Sequence, residues 1–445
     1  MNAADSVLDA HARDLSYHEP RRPDAVVFPG STEDVSRLLA WASEHRVPVV
    51  PFGAGTSLEG HVVPVEGGIS LDLSRLNRVL EVRPADLLAV AQAGVLRSAL
   101  DAAAGEHGLW FPVDPGADAT LGGMAATGAS GTTTVRYGGM RSHVLALEVV
   151  LADGSVVRPG SRAAKSSAGY DLRSLFVGSE GTLGVITELT LRLRGRPEHV
   201  VAVRAAFPTL EAACSTATAL VASGVALTRV ELLDAPTLRA VNAYKGTSFD
   251  EAPSLFLELG GSEHGVAGDL EAARELASWE GGTAFQVERE TEACARLWEA
   301  RHHVLFALVA SAPGTLHKST DVCVPLSELP AAVAHARDQV ERLGLQASIV
   351  AHAGDGNYHV LFQFDPDDAR ARTSAARLND EIVEWALTRG GTCTGEHGIG
   401  QGKLAYLERE HGDLLPLMRD LKRVLDPAGI LNPGKVVAAP AAPTG

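Results

Sequence analysis

The chain has 445 residues, 45% hydrophobic and 21% charged, enough for two or three ordinary globular domains. A formal net charge of −16, with no block of Lys or Arg to reverse it locally, argues against a nucleic-acid partner. The cysteines Cys214, Cys294, Cys323 and Cys393 lack C-x-x-C spacing, which fits a reducing compartment and no zinc finger. No apolar run approaches the ~20 residues of a membrane span. The start carries Asp5, Asp9 and Asp14 without an apolar leader, so a cytoplasmic protein is expected, with peripheral membrane contact left open.

In chain order, a short lead-in is followed by closely spaced strands and helices as far as about residue 196. Residues 26–28 read as a strand, and Ser31 caps a helix whose apolar face carries Val35, Leu38, Leu39 and Trp41. A strand over 47–52 runs into Gly53-Ala-Gly-Thr-Ser57. Strands follow at 68–72 and 89–93, then a helix over 95–106 and a long segment, 113–131, expected to be a structureless functional loop. Strands at 145–151 and 184–193 close this half. The stretches 51–60, 115–131 and 178–187 are rich in Gly, Ala, Ser and Thr, whose backbone N–H groups can converge on phosphate oxygens. None is a Walker loop or a dinucleotide fingerprint. One such loop alone reads more readily as a plain β-turn; three in one half point to a large cofactor with a pyrophosphate.

From about residue 200 the pattern becomes βαβ units with hairpins. Strands are predicted at 201–207, 227–233, 254–259, 284–287 and 320–324, with helices at 210–223, 264–278, 291–311 and 327–343. That is a ferredoxin-like α+β sandwich, duplicated or extended. Asp365 is predicted to cap a helix with Pro366 at its first position, running to about residue 387. A last helix over 414–425 leads to Asn432-Pro-Gly-Lys435.

Residues 348–364 read as two strands joined by a two-residue Asp355-Gly356 turn. In that register His352 faces His359, and two imidazoles on one face can share a Zn²⁺ or Mn²⁺ ion. Two histidines on a wet sheet face would look the same. The glycine-rich stretch 390–403 adds Glu396, an oxygen ligand that would leave metal positions open for substrate, and His397, a natural general base.

Pro51-Phe-Gly-Ala-Gly-Thr-Ser57, Pro115-Gly116 with Thr120-Leu-Gly-Gly123, Gly178-Ser-Glu-Gly-Thr-Leu-Gly184, His352 with His359, Gly395-Glu-His-Gly398 and Asn432-Pro-Gly-Lys435 together resemble the FAD-linked oxidases of the vanillyl-alcohol-oxidase fold. Within them the chain is similar to the D-2-hydroxyacid dehydrogenase branch, over about residues 20–435. The stretches 297–302, 318–325 and 392–400 are most like the cytochrome-linked members that oxidise D-lactate.

The resemblance implies a two-subdomain FAD-binding domain over 18–196 and a ferredoxin-like substrate domain over 197–390. A C-terminal segment over 391–435 would return to the flavin, before a disordered tail, 436–445. It implies FAD contacts from Pro51, Gly53, Ala54, Gly55, Thr56 and Ser57, and from Pro115, Gly116, Thr120, Gly122, Gly123 and Gly131. Glu180, Gly181, Gly184, Val185, Ile186, Asn432 and Lys435 would complete them. Covalent members place a histidine in the first loop, where this chain has Gly55, so non-covalent FAD is expected.

The implied reaction has a D-2-hydroxy acid, D-lactate first, chelating a metal on His352, His359 and Glu396. His397 takes the hydroxyl proton as the Cα hydrogen leaves as hydride to flavin N5, giving pyruvate from D-lactate. Arg301 is the candidate for the substrate carboxylate and Lys318 a second; Asn357, in the predicted turn, either orients a ligand or serves the turn. Leu305 and Val322 beside the basic candidates favour a small acid. Glycolate, D-2-hydroxyglutarate, or an alkyl-glycerone-phosphate-synthase-like transfer without net redox are the alternatives. Electrons would leave to a quinone, a cytochrome or an electron-transfer flavoprotein, and a homodimer is compatible with the sequence.

Overall fold

Helix starts follow capping chemistry written in the sequence. The Ser31 hydroxyl accepts from Asp34 N (3.2 Å) ahead of Thr32–His45, Thr209 from Ala212 N (3.1 Å) ahead of Leu210–Ala222, and Asp234 from Thr237 N (2.9 Å) ahead of Ala235–Lys245. The computed structural model describes residues 1–365 and 367–437. They divide into one unit made of 1–130, 138–196 and 396 onward, and a second made of 131–137 and 197–395. The predicted tail lies, apart from Val436 and Val437, outside the described residues.

The first unit has two main sheets and a two-stranded ribbon of Leu109–Trp110 with Arg194–Gly195. A parallel sheet runs Ala25–Val27, Ile69–Asp72, Val49–Phe52, and an antiparallel one runs Val79–Arg83, Leu88–Gln92, Val185–Arg192, Val144–Val150, Val156–Val157. One apolar core joins them, including Leu39, Ile69, Leu100, Phe111, Leu147 and Leu189. Each fully buried leucine there contributes about 1.5–3 kcal/mol. Helix Thr32–His45 buries Val35, Leu39 and Ala42, but Trp41 is 44% exposed. Trp41 lies two residues past Leu39, about 200° round the helix, so it cannot share that face. The segment expected to be structureless contains helix Leu121–Thr127, capped by Thr120 and stopped by Gly128 at φ 69°.

His143, wholly buried, sits edge-on to Phe111 with ring centroids 5.8 Å apart and Nδ1 3.2 Å from Gly139 O. Burial pushes its pKa down from 6.5 to about 4. The unfolded chain therefore takes the proton first, and stability present above pH 6.5 is lost as pH falls through about 4. A shift of that size corresponds to roughly 3 kcal/mol. Going from pH 7 to pH 5 crosses only part of that range, so urea unfolding should show a loss of roughly 2 kcal/mol in the wild type, and less in His143→Gln.

The second unit is one antiparallel sheet in the order Thr283–Glu288, His199–Ala206, Ser254–Gly261, Leu227–Leu233, Gln346–His352, Asn357–Phe364, Leu316–Ser319, with Val322–Cys323 also on Asn357–Phe364. Its first four strands, with helices Leu210–Ala222 and Glu263–Trp279, have the 4-1-3-2 order of a ferredoxin-like βαββαβ unit. The remaining strands, with Leu329–Leu343 and Ala369–Leu387, repeat it without the fourth strand, so the sandwich is duplicated as the pattern predicted. The long helix expected over 291–311 breaks at His303 into Thr291–His302 and Val304–Ser311. Asp368, not Asp365, caps Ala369–Leu387, accepting from Arg370 N (2.8 Å) and Ala371 N (3.1 Å); Pro366 lies outside the described residues.

Candidate active site

Strands Gln346–His352 and Asn357–Phe364 pair in a register different from the predicted one: His352 faces Asn357, Ala351 faces Tyr358 and Val350 faces His359. Four residues, 353–356, make the connection. The two-residue turn fails because Ala353 N donates to Val230 O (2.8 Å) of the neighbouring strand instead of pairing with Tyr358, while Asp355 N closes on His352 O (3.0 Å). A slip of two residues preserves the face. His352 and His359 therefore still share one side, now as a diagonal pair with perpendicular rings 5.6 Å apart. Asn357 opens the strand rather than sitting in the turn, and its amide donates to Asp321 Oδ1 and Val322 O, both at 2.8 Å.

Both imidazoles are held by Nδ1. That of His359 lies 3.0 Å from Thr320 O, and that of His352 lies 2.7 Å from Glu231 Oε1. A carbonyl or a carboxylate can only accept, so Nδ1 carries a proton, and in the neutral ring Nε2 is then the atom that ligates metal. Both residues are buried.

Glu231 has no counterpart among the residues predicted for the site. It lies directly across from His352, and its Oε2 accepts from Arg301 Nε (2.8 Å) and Nη2 (2.6 Å). Burial would raise the Glu231 carboxyl, but His352 and Arg301 outweigh it and hold it below the usual carboxylate range. Arg301 is thus an anchored group of which 13% of the side chain is exposed, rather than an open helix-surface arginine. A lone acid in the apolar strand Leu227–Leu233 was the available signal.

Lys318 lies on Leu316–Ser319, at the edge of the sheet, and pairs with Phe362, its Cα on the face of Val360 and Tyr358. Val322 pairs with Tyr358 and is wholly buried, and Leu305 is 44% exposed.

In the first unit the three glycine-rich loops meet. Any side chain at Gly53 would strike Thr120 Oγ1, and one at Gly181 would come within 2.9 Å of Pro51. Gly178 N and Glu180 N donate to Ala125 O (2.9 Å) and Ala126 O (2.8 Å). The C-terminal segment returns to these loops. Asn432, at φ 40°, donates its amide to His61 O (3.0 Å) and Glu180 O (2.7 Å), and Lys435 Nζ donates to Val63 O (2.8 Å). Asn432 Oδ1 and His61 Nδ1 are buried without a hydrogen-bond partner among the described residues. Unpaired polar atoms among loops with no room for side chains fit a large polar cofactor. Burial lowers the Lys435 pKa to about 8.

Several predicted cofactor residues also have framework contacts. Ser57 Oγ donates to Asp14 (2.9 Å). The Glu180 carboxylate accepts from Ile399 N (2.7 Å) and Gly400 N (2.8 Å), and pairs with His61 at 3.3 Å. Burial opposes the Glu180 charge, but His61 and those two amides hold its carboxyl below the usual range. Gly122 and Gly184 give way to Ala93 and Val149, where a Cβ would come within 2.6 and 2.5 Å, and Val185 and Ile186 lie in the core. Gly131 belongs to the second unit, with its N 3.0 Å from Thr134 Oγ1. Pro51, Ala54, Gly55, Thr56, Pro115, Gly116 and Gly123 line the same three loops.

Glu396 and His397 open the last segment of the first unit. Glu396 Oε2 accepts from Ser130 Oγ (2.9 Å), and His397 Nδ1 lies 4.0 Å from Glu59 Oε1, itself 3.3 Å from Lys403 Nζ. Gly395, just before them, has no room for a side chain against the Asn357 amide.

A unit with a glycine-loop cofactor cradle and another with a sheet-borne histidine pair are the parts of a two-domain flavin-dependent oxidoreductase. A model of the FAD binding domain matches residues 23–160, and one of the C-terminal domain of FAD linked oxidases matches residues 196–436. The chain belongs to the FAD-linked oxidases. It is 45% identical over 424 residues to D-lactate dehydrogenase [cytochrome], mitochondrial, of Arabidopsis thaliana, covering 95% of this chain and 75% of that one. Identity is 43% to the probable D-lactate dehydrogenase, mitochondrial, of Danio rerio (98% and 89% covered). It is 37% to glycolate oxidase subunit GlcD of Bacillus subtilis (strain 168) (94% and 89%). The 4-ethylphenol oxidase of Gulosibacter chungangensis has the same fold at a TM-score of 0.80 and 19% identity, covering 99% of this chain and 94% of that one. Alkyldihydroxyacetonephosphate synthase does so at 0.75 and 21%, covering 97% and 81%. The fold is thus the two-domain vanillyl-alcohol-oxidase type, and the protein is an FAD-dependent oxidoreductase. Among the described residues no helix is long and apolar enough to cross a membrane.

Proposed function

We propose that this enzyme oxidises a small D-2-hydroxy acid, D-lactate first, to its 2-keto acid, with non-covalent FAD and a divalent Zn²⁺ or Mn²⁺ ion on His352, His359 and Glu396. The observation that carries it is the pair of buried imidazoles on one sheet face, each with Nδ1 bonded to an acceptor, which leaves Nε2 as the ligating atom of the neutral ring. Two neutral imidazoles lack an anionic ligand, and Glu396 follows directly on Gly395, which packs against Asn357 of the same hairpin.

FAD, when bound, supplies the two-electron acceptor for the substrate Cα hydrogen, and the metal would polarise the substrate oxygens. Arg301 meets the substrate carboxylate with its guanidinium fork, and His397 takes the hydroxyl proton at a ring nitrogen. Asn357 keeps the hairpin in place through Asp321 and Val322. A monocarboxylate fits best. The other arginines of that face have acidic partners of their own: Arg229 pairs with Glu258 (2.9 Å) and lies 4.9 Å over Trp298, and Arg204 pairs with Asp250 (3.6 Å).

Anaerobic addition of D-lactate should bleach the flavin absorbance faster than L-lactate, glycolate or D-2-hydroxyglutarate. Faster bleaching by glycolate would move the substrate and keep the chemistry. No bleaching by any 2-hydroxy acid would sink the dehydrogenase assignment and promote the transferase.

Lys435 gives a separate check on the cofactor. An anionic phosphate favours the ammonium, so the cofactor-bound pKa would exceed the free value of about 8. FAD affinity should therefore fall as pH rises through 8 to 9. Titration of apoprotein with FAD should show that loss for the wild type, and in Lys435→Met an affinity about 10-fold or more weaker at pH 7 with little further change at pH 9.

A further inference from the structure

We infer that Glu231 is a positioning residue that sets the metal and the substrate carboxylate in one geometry, because a single buried carboxylate holds both the metal-ligand histidine His352 and the substrate arginine Arg301. This rests on the function proposed above. Each oxygen has its own partner. Oε1 faces His352 Nδ1 at 2.7 Å, and Oε2 accepts from Arg301 Nε at 2.8 Å and Nη2 at 2.6 Å. Glu231 and His352 are a direct cross-strand pair, which fixes their backbones side by side. The Glu231 side chain is 1% exposed, so water cannot substitute for either bond.

Two consequences follow. With Nδ1 held by an acceptor, the His352 ring presents its Nε2 lone pair in one orientation. With the Nε and Nη2 edge of the guanidinium gripped, Arg301 can turn only its Nη1–Nη2 edge to a substrate. Metal affinity and substrate affinity therefore share one support, which an ordinary buried ion pair would not provide.

The test uses the FAD-loaded full chain after metal stripping. Mn²⁺ binding is followed by the electron paramagnetic resonance of the free ion, alongside KM and kcat for D-lactate. Glu231→Gln should weaken Mn²⁺ binding by about 10–100-fold and raise KM in the same protein. Arg301→Lys should raise KM and leave Mn²⁺ affinity unchanged. The Glu231→Gln/Arg301→Lys double variant should raise KM by less than the product of the single effects.

A Glu231→Gln protein with wild-type flavin absorbance and melting temperature but unaltered Mn²⁺ affinity and KM would overturn the inference. So would an Arg301→Lys protein whose Mn²⁺ affinity falls as far as that of Glu231→Gln. Where Glu231→Gln does not fold, Glu231→Asp carries the test. It keeps the charge but is one methylene too short to span both partners, so both affinities should still fall, and unchanged values overturn the idea. A wild-type protein that binds no divalent ion would bring down the metal site itself, and this shows before any substitution is made.

Discussion

Metal removal is expected to silence the enzyme without bleaching or releasing its flavin. Dialysis against a strong chelator should lower turnover of D-lactate by about 10³-fold, since Lewis-acid stabilisation at a developing alkoxide is worth several kcal/mol. The FAD absorbance should persist, because the histidine pair belongs to the second unit and the glycine-loop cradle to the first. Re-addition of Zn²⁺ or Mn²⁺ should restore turnover, and the ion that restores it at the lower concentration identifies the native one. His359→Ala should reproduce the loss and resist restoration. The folded protein should survive that change: Val360 N, adjacent to His359, keeps its own bond to Thr320 Oγ1 (2.9 Å) when the His359 contact to Thr320 O is lost. Undiminished flavin bleaching by D-lactate in chelator-treated enzyme would remove the metal from the mechanism and leave the two histidines as packing.

Local chemistry made much of this molecule legible. Ser31 and Thr209 cap where capping rules put them, and the βαβ spacing after residue 200 led to a ferredoxin-like unit and its partial repeat. What escaped depended on distant partners. The hairpin register slipped by two because Val230, over a hundred residues earlier, takes the amide of Ala353. Asp365, Asp367 and Asp368 all satisfy the capping rule, and nothing local chooses among them. The helix over Leu121–Thr127 hid behind Gly122 and Gly123, which serve close packing rather than a mobile loop. Glu231 shows the limit most clearly. An acid inside an apolar strand is visible as an anomaly, while its partners Arg301 and His352 lie 70 and 121 residues away.

Loss of the proposed base should be the other large effect. His397→Ala is expected to lower kcat for D-lactate by about 10²–10⁴-fold, the usual worth of a positioned general base. The flavin absorbance and Mn²⁺ affinity should stay near wild type, which separates this variant from His359→Ala. In the wild type, kcat/KM should rise with pH as the base loses its proton. In His397→Ala that acid limb should vanish, because no residue then has to deprotonate before reaction. His397→Gln should be as slow as His397→Ala, since it keeps a polar side chain but cannot accept a proton. The surroundings of His397 suit the role. Its Nδ1 faces the buried Glu59 carboxylate at 4.0 Å, and Lys403 lies 3.3 Å from the same oxygen. An acid on that side favours the tautomer with the proton on Nδ1 and the lone pair on Nε2, the nitrogen a base needs. A His397→Ala enzyme with wild-type kcat and an intact acid limb would transfer the base role to another group, and metal-bound hydroxide would be the first to examine.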